Sequence, residues 1–241
     1  MEQTVYSRHI DNEKEHWWFA ARREIIYSTL KNFNSKNNQM KILDFGSGSG
    51  TNIKMLCQFG KVDVFETNSK MRDYLKKKFK RKKNVTILNS IKKNSYDLIL
   101  AADVIEHIKN DKKVLKEFFS YLKKGGVILI TVPAFEFLFS SKDRVLKHFR
   151  RYRKSSLTKL VKKNFLIKKI SYFNFFLFFP IAFSILYLKL KNSKFINFAE
   201  STPNYFVNLL LKKIFSAEKY FLRNINFPFG ISLLLVAKKN D

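Results

Sequence analysis

The chain has 241 residues, 46% of them hydrophobic, and its 47 Lys and Arg against 19 Asp and Glu give a net charge of +28. That length and apolar content suit one α/β domain with an elaboration; a single cysteine, Cys57, excludes an internal disulfide. The start, "MEQTVYSRHIDNEKEHWWF", has no apolar h-region, so a cytoplasmic protein is expected, and the charge suits nucleic acid, anionic lipid or phosphorylated substrates without choosing among them, because Lys, Asn, Ile and Phe are abundant throughout.

In chain order, the first forty residues read as helical and then polar. From Lys41 strands and helices alternate: strand "KILDF", a helix from Thr51, strand "KVDVFE", a helix from Ser69, strand "NVTIL", strand "YDLILAAD", a helix from Asp111 to Lys123, and strand "GVILITVP". Alternation of this kind predicts parallel strands with crossover helices. After Pro133 comes a long basic connection, then a helix "LTKLVKKN" with Ser155 or Ser156 as its N-cap, and a strand within "FLIKKISYFNFF". Pro180 is expected to break the apolar run Phe175–Leu188, which is shorter than the roughly 20 residues a spanning helix needs. An amphipathic helix follows in "YFVNLLLKKIFSAEKYFL", and a last strand runs from Gly230 to Lys238.

The chemistry concentrates in "ILDFGSGSGTN", Ile42 to Asn52. Glycines at 46, 48 and 50 permit a sharp turn and close approach of a ligand to main-chain N–H groups beside a helix start. A dinucleotide fingerprint would want glycine at 51, where Thr51 stands. Asp44 repels phosphates and welcomes an ammonium or sulfonium. Glu66, at the tip of the second strand, can accept both hydroxyls of a ribose.

Through "ILDFGSGSG", "VFETN" and "YDLILAADVIEHIKN" followed by "LKKGGVILITVP", the chain resembles the class I S-adenosylmethionine-dependent methyltransferases. The resemblance implies an α/β, Rossmann-like, doubly wound and mostly parallel seven-stranded sheet, with helices on both faces and a helical C-terminal insertion. The implied division is an N-terminal helical lid over 1–40, a cofactor-binding core over 41–179, an apolar and basic insertion over 180–228, and a final strand over 229–241. The turn bearing Asp44, Gly46, Ser47, Gly48 and Gly50 would hold the amino-acid part of S-adenosylmethionine, Glu66 with Thr67 the ribose, and Asn89 with Ser90 the adenine. Asp103 and His107 would lie beside the methionine moiety, and Trp18 and Arg22 would reach it from the first helix. "HWWF" (His16–Phe19), "H-x-R-R-Y" (His148–Tyr152) and "P-x-G-x-S" (Pro228–Ser232) resemble a bacterial subgroup associated with cell-envelope or glycan pathways.

Methyl transfer needs positioning above all, and a base only when the acceptor must lose a proton. His148 and His107 are the candidate bases, with capping or packing the alternative for His107. Asp143 could orient His148, and Arg150 and Arg151 are candidate clamps for a phosphate or carboxylate, with a solvated basic loop the alternative for His148, Arg150 and Arg151. Trp17 and Trp18 are either a lid or anchors of the first helix. Four scattered histidines and one cysteine make no recognisable metal site. The expected acceptor is a small or lipid-linked molecule. Residues 175–225, basic and rich in phenylalanine, are expected either to pack on the protein or to lie on an anionic membrane. A nucleic-acid methyltransferase, a nicotinamide oxidoreductase and a non-catalytic membrane-associated protein are the rival readings.

Overall fold

The computed structural model describes residues 16–33, 39–191 and 202–240. Of the predicted segments, the first fifteen residues, part of the polar loop before Met40 and the stretch 192–201 lie outside them. The elements are α1 (Trp17–Phe33), β1 (Met40–Phe45), α2 (Ile53–Leu56), β2 (Gly60–Phe65), α3 (Ser69–Phe79), β3 (Val85–Leu88), β4 (Tyr96–Ala102), α4 (Asp111–Tyr121) and β5 (Leu122–Pro133). They continue with α5 (Ser141–Val145), α6 (Lys154–Val161), β6 (Phe165–Phe173), α7 (Phe178–Leu190), α8 (Tyr205–Phe221) and β7 (Ser232–Lys239).

The seven strands form one mixed sheet in the order β3-β2-β1-β4-β5-β7-β6, the doubly wound architecture that the alternation predicts. β1 pairs in parallel with β2 and β4, β2 with β3, and β4 with β5. The order runs outward from β1 in both directions, so right-handed crossovers place helices on opposite faces. Covering on both faces explains why β1 is buried from Ile42 to Phe45 and β7 from Ser232 to Ala237, instead of alternating. Asn68 and Asn110 start α3 and α4 by accepting the N–H groups of Met71 and Lys113 at 3.1 and 3.0 Å.

The chain divides into two compact units. One comprises the described residues within Met1–Phe33, Pro133–Lys154 and Ser171–Leu233; the other those within Asn34–Val132, Ser155–Ile170 and Leu234–Asp241, which carry nearly all of the sheet. In the first unit α1 packs along α8. Trp17 N–H donates to Asn208 Oδ1 at 2.8 Å, Lys219 Nζ reaches Glu24 Oε2 at 2.7 Å, and Trp18 lies 5.2 Å from the ring of Phe215. α7 rests on a cluster of Leu138, Ala182, Ile185 and Ile231.

Three expectations are corrected. Pro180 does not break the apolar run: it is the third residue of α7, in the first turn, where a missing N–H removes no helical bond. The sixth strand ends at Phe173, Phe175 and Phe176 lie in the connection, and Phe178, Phe179 and Phe183 are helical. α6 begins at Lys154, so Ser155 and Ser156 lie inside it; the Lys154 N–H donates to the Tyr172 hydroxyl at 3.1 Å, a partner from a distant strand. The last strand starts at Ser232, two residues later than expected.

Glu218 of α8 is fully buried and gathers the N–H groups of Asn174, Phe175 and Phe176 at 2.7, 2.7 and 3.1 Å, pinning the chain between β6 and α7. Burial raises its carboxyl from the ordinary 4.5 to about 7, against the opposing pull of those three donors. A raised carboxyl pKa means that the folded state holds the proton more tightly, so the stability that Glu218 contributes is fully present below pH 4.5 and is lost as pH rises through about 7. The loss attributable to Glu218 is about 3 kcal/mol. Urea denaturation of the wild type and Glu218→Gln between pH 5 and 7.5 checks this: the variant is expected to lack this part of the pH dependence.

Candidate functional site

At the carboxyl end of β1, Asp44 is buried and accepts the Ser47 hydroxyl at 2.6 Å. Gly46, Gly48 and Gly50 then all adopt left-handed conformations, with φ of 70°, 56° and 78°. A Cβ on Gly46 would stand 2.8 Å from the Val104 side chain, and one on Gly50 2.7 Å from Leu75. Both backbone angle and space demand glycine there.

Glu66 follows β2, the parallel neighbour of β1. Its Oε2 accepts the Gly48 N–H at 2.9 Å and its Oε1 the Asn68 N–H at 2.9 Å, with the Thr67 hydroxyl 3.4 Å away. One carboxylate thus ties the glycine turn to the start of α3. Arg72 steadies the same loop through the carbonyls of Glu66 and Thr67 at 2.9 and 2.7 Å. Asp103 follows β4 with φ 56°, and its carboxylate accepts the Thr131 hydroxyl at 2.8 Å. Asn89 and Ser90 are exposed just past β3, and His107 closes the single turn Ile105–His107. The sheet therefore sets Asp44, the glycines, Glu66, Thr67, Asn89, Ser90, Asp103 and His107 at the carboxyl ends of neighbouring parallel strands, where open α/β sheets bind ligands.

The donor set fits an S-adenosylmethionine-like molecule. Ser49 Oγ and Asn52 Oδ1 are buried within the turn with no hydrogen-bond partner among the described residues, polar positions that a ligand's amino and carboxyl groups could satisfy. Glu66 offers a carboxylate for hydroxyls. Sequence reasoning passed over Ser49, Asn52 and Thr131, the first two because attention to the glycines hid the polar residues between and after them.

In the first unit, Asp143 is a hub. Its Oδ1 lies 2.8 Å from His148 Nδ1 and 2.9 Å from Arg151 Nε, while its Oδ2 accepts from Arg151 at 2.9 Å and from the Ser140 N–H at 2.8 Å. Burial alone would raise the Asp143 carboxyl, but the hydrogen bonds of His148 and Arg151, the guanidinium charge and the Ser140 N–H hold it far below the usual carboxylate range. Asp143 and His148, paired in expectation, do touch. The anion in the fork of Arg151 is Asp143, and the guanidinium also reaches the Ala134 carbonyl at 3.3 Å. Arg150 lies over the Phe149 ring at 6.0 Å. The Ser140-x-x-Asp143 capping box at the start of α5 was a legible signal for this arrangement that the sequence reading did not use.

Trp18 and Arg22 belong to α1. Trp18 stacks on Phe173 and Phe215 at 6.5 and 5.2 Å, and Arg22, buried, lies over Phe19 at 5.4 Å. His16 starts the helix, its Nδ1 accepting the Trp18 N–H at 3.2 Å.

Comparison with known proteins bears on the family and the fold. Residues 13–167 match a family described as "Methyltransferase domain". The ubiquinone biosynthesis O-methyltransferase of Pelagibacter ubique (strain HTCC1062) is 26% identical over 179 residues, which are 64% of this chain and 75% of that protein. Among solved structures, Haemonchus contortus phosphoethanolamine N-methyltransferase 2, in complex with S-adenosyl-L-methionine, aligns with a TM-score of 0.56 and 21% identity over 88% of this chain and 51% of its own. The N-methyltransferase NodS from Bradyrhizobium japonicum WM9 aligns with a TM-score of 0.59 and 10% identity over 99% and 98%. At these identities the structures show a shared fold.

Removing the Asp143 carboxylate strands the Arg151 charge in a buried position. Asp143→Ala is expected to destabilise the protein by about 3–5 kcal/mol, read from urea unfolding near pH 7. A loss below about 1 kcal/mol would show that the pair contributes little.

Proposed function

The chain belongs to the methyltransferase-domain family, and we propose that this enzyme moves the methyl group of S-adenosylmethionine to a hydroxyl or amine of a small amphiphilic acceptor, lipid-linked or part of a cell-envelope glycan. Thr51 in place of a third fingerprint glycine and Asp44 before the turn support this cofactor over a nicotinamide dinucleotide. When bound, S-adenosylmethionine supplies a methyl carbon on a positively charged sulfur that departs as a neutral thioether. The protein's part is to hold and to take a proton. Asp44, Ser47 and the left-handed glycines cradle the charged amino-acid end, and Glu66, already oriented by Gly48 and Asn68, accepts the ribose hydroxyls.

The observation that carries the acceptor chemistry is the 2.8 Å contact between Asp143 Oδ1 and His148 Nδ1. A carboxylate there keeps the proton on Nδ1 and makes Nε2 the basic nitrogen. His148 Nε2 would then be the atom that takes the proton an acceptor hydroxyl or amine gives up on being methylated. Arg151, the second partner of Asp143, is a positioning residue. An amphiphilic acceptor is supported by the aromatic surroundings of the same connection: Phe135 stacks on Tyr172 at 5.0 Å and meets Phe137 and Phe178 at 5.4 and 5.9 Å. The His16–Phe19 and His148–Tyr152 elements support the cell-envelope subgroup.

Two variants separate the halves of this reading. Glu66→Ala is expected to weaken S-adenosylmethionine binding by about 1.5–3 kcal/mol, the worth of hydrogen bonds to a charged group, in calorimetry. His148→Ala should leave that affinity unchanged and lower turnover about 10²–10⁴-fold for a hydroxyl acceptor, assayed with labelled cofactor and fractionated lipid, glycan and RNA extracts. Label entering only the RNA fraction would replace the proposed acceptor class with a nucleic acid.

A further inference from the structure

Apart from Ser184 and Lys189, α7 is apolar, and among the described residues one side of it is packed. Ala182 and Ile185 sit in the cluster with Leu138 and Ile231. On the other side Phe179, Phe183, Leu186, Tyr187 and Leu190 are exposed, with Phe179, Phe183 and Leu190 at 69%, 72% and 86%. Their spacing of four, three, one and three residues places them on a single stripe. Exposed aromatic and aliphatic side chains in such a row mark an interaction surface. The start of α8 adds Tyr205, Phe206, Val207 and Leu210, also exposed.

The charges around the stripe identify the partner. Lys189 and Lys191 stand at the end of α7, with the Lys191 ammonium 4.7 Å from the Tyr187 ring. Between Ser171 and Leu233 the only acids in the sequence are Glu200 and the buried Glu218. A second copy would bring the same lysines and a further +28 without exposed acids on α7 to meet them. An anionic bilayer offers both what the stripe and what the lysines require: an interfacial zone for aromatic rings and negative headgroups for ammonium groups. With 13 residues, α7 is roughly 20 Å long, against about 30 Å of hydrocarbon, and no described helix is long and apolar enough to cross a membrane. We propose that α7 lies in the plane of an anionic membrane surface, with Phe179, Phe183 and Leu190 inserted and Lys189 and Lys191 at the headgroups. This deepens the reading of an amphiphilic acceptor by naming where it is met. Its test reads no methyl transfer, so the two can fail separately.

Purified full-length protein is sedimented with phosphatidylcholine vesicles, with or without phosphatidylglycerol, at low and high salt. The protein is expected to pellet with the anionic vesicles, more weakly at high salt. Partitioning should fall by about tenfold in Phe179→Ser/Phe183→Ser and in Lys189→Glu/Lys191→Glu. All four side chains lie at the surface, and near-ultraviolet circular dichroism verifies that the variants keep the wild-type fold. Failure to pellet with either vesicle, or equal pelleting of wild type and both variants, overturns the proposal. So does a dimer in sedimentation equilibrium that the double phenylalanine variant turns into a monomer, which would assign the stripe to a second copy.

Discussion

The cofactor side of this protein depends on a backbone constraint: the chain leaving β1 must turn in the left-handed region at three alternate positions. Only glycine does so without strain, and at Gly46 and Gly50 the space for a side chain is already filled by Val104 and Leu75. The turn would be loose if nothing held its N–H groups. Glu66 supplies the hold, taking the Gly48 N–H on one oxygen and the Asn68 N–H on the other. A residue expected to bind ribose thereby also fixes the glycine turn, holding its Gly48 N–H and the start of α3 with one carboxylate.

Two buried carboxylates in the first unit show how neighbours decide the state of an acid. Asp143 is nearly inaccessible, yet it meets a guanidinium in a bidentate fork and an imidazole, so its charge is favoured despite burial. Glu218 is equally inaccessible and, among the described residues, meets backbone N–H groups alone. Three dipoles offset part of the cost of desolvation without a countercharge, and the carboxyl rises to about 7. The contrast suits their tasks. In the proposed reaction an anion that orients His148 must stay ionised, whereas a glutamate that gathers three N–H groups serves as a structural clasp.

Local patterns carried most of the sheet. "KILDF" and "KVDVFE" lie between strong turn signals, and their strands appear where periodicity places them. The strand of "GVILITVP" starts earlier, at Leu122, so that Leu122 and Lys123, expected in the helix, and the "KKGG" turn belong to β5. The glycine turn and Glu66 were legible for the same reason: each is defined by neighbours within a few positions. Three features were not. The start of α6 depends on the Tyr172 hydroxyl, from a strand eighteen positions later. The continuity of α7 through Pro180 depends on that proline falling in a first turn whose N–H groups have no helical partner in any case. Glu218 reads as one polar residue on an amphipathic helix, and its clasp joins residues more than forty positions apart. The pairing of Asp143 with His148 and Arg151 lies between these cases, since a capping box announced the turn but not the imidazole and guanidinium that return to it.

The 26 phenylalanines carry a further argument, because composition cannot divide them by role. Many form internal stacks: Phe45 meets Phe65 and Phe118 at 5.2 and 4.8 Å, and Phe175 meets Phe227 at 4.6 Å. These rings lie between elements that approach from both sides. α7 differs in having its apolar cluster on one side only, and a helix without a polar face cannot turn its apolar surface away from water by rotating. Whatever rotation buries Ala182 and Ile185 presents Phe179 and Phe183 outward, so the exposed stripe follows from the sequence of the helix and the place where it is anchored.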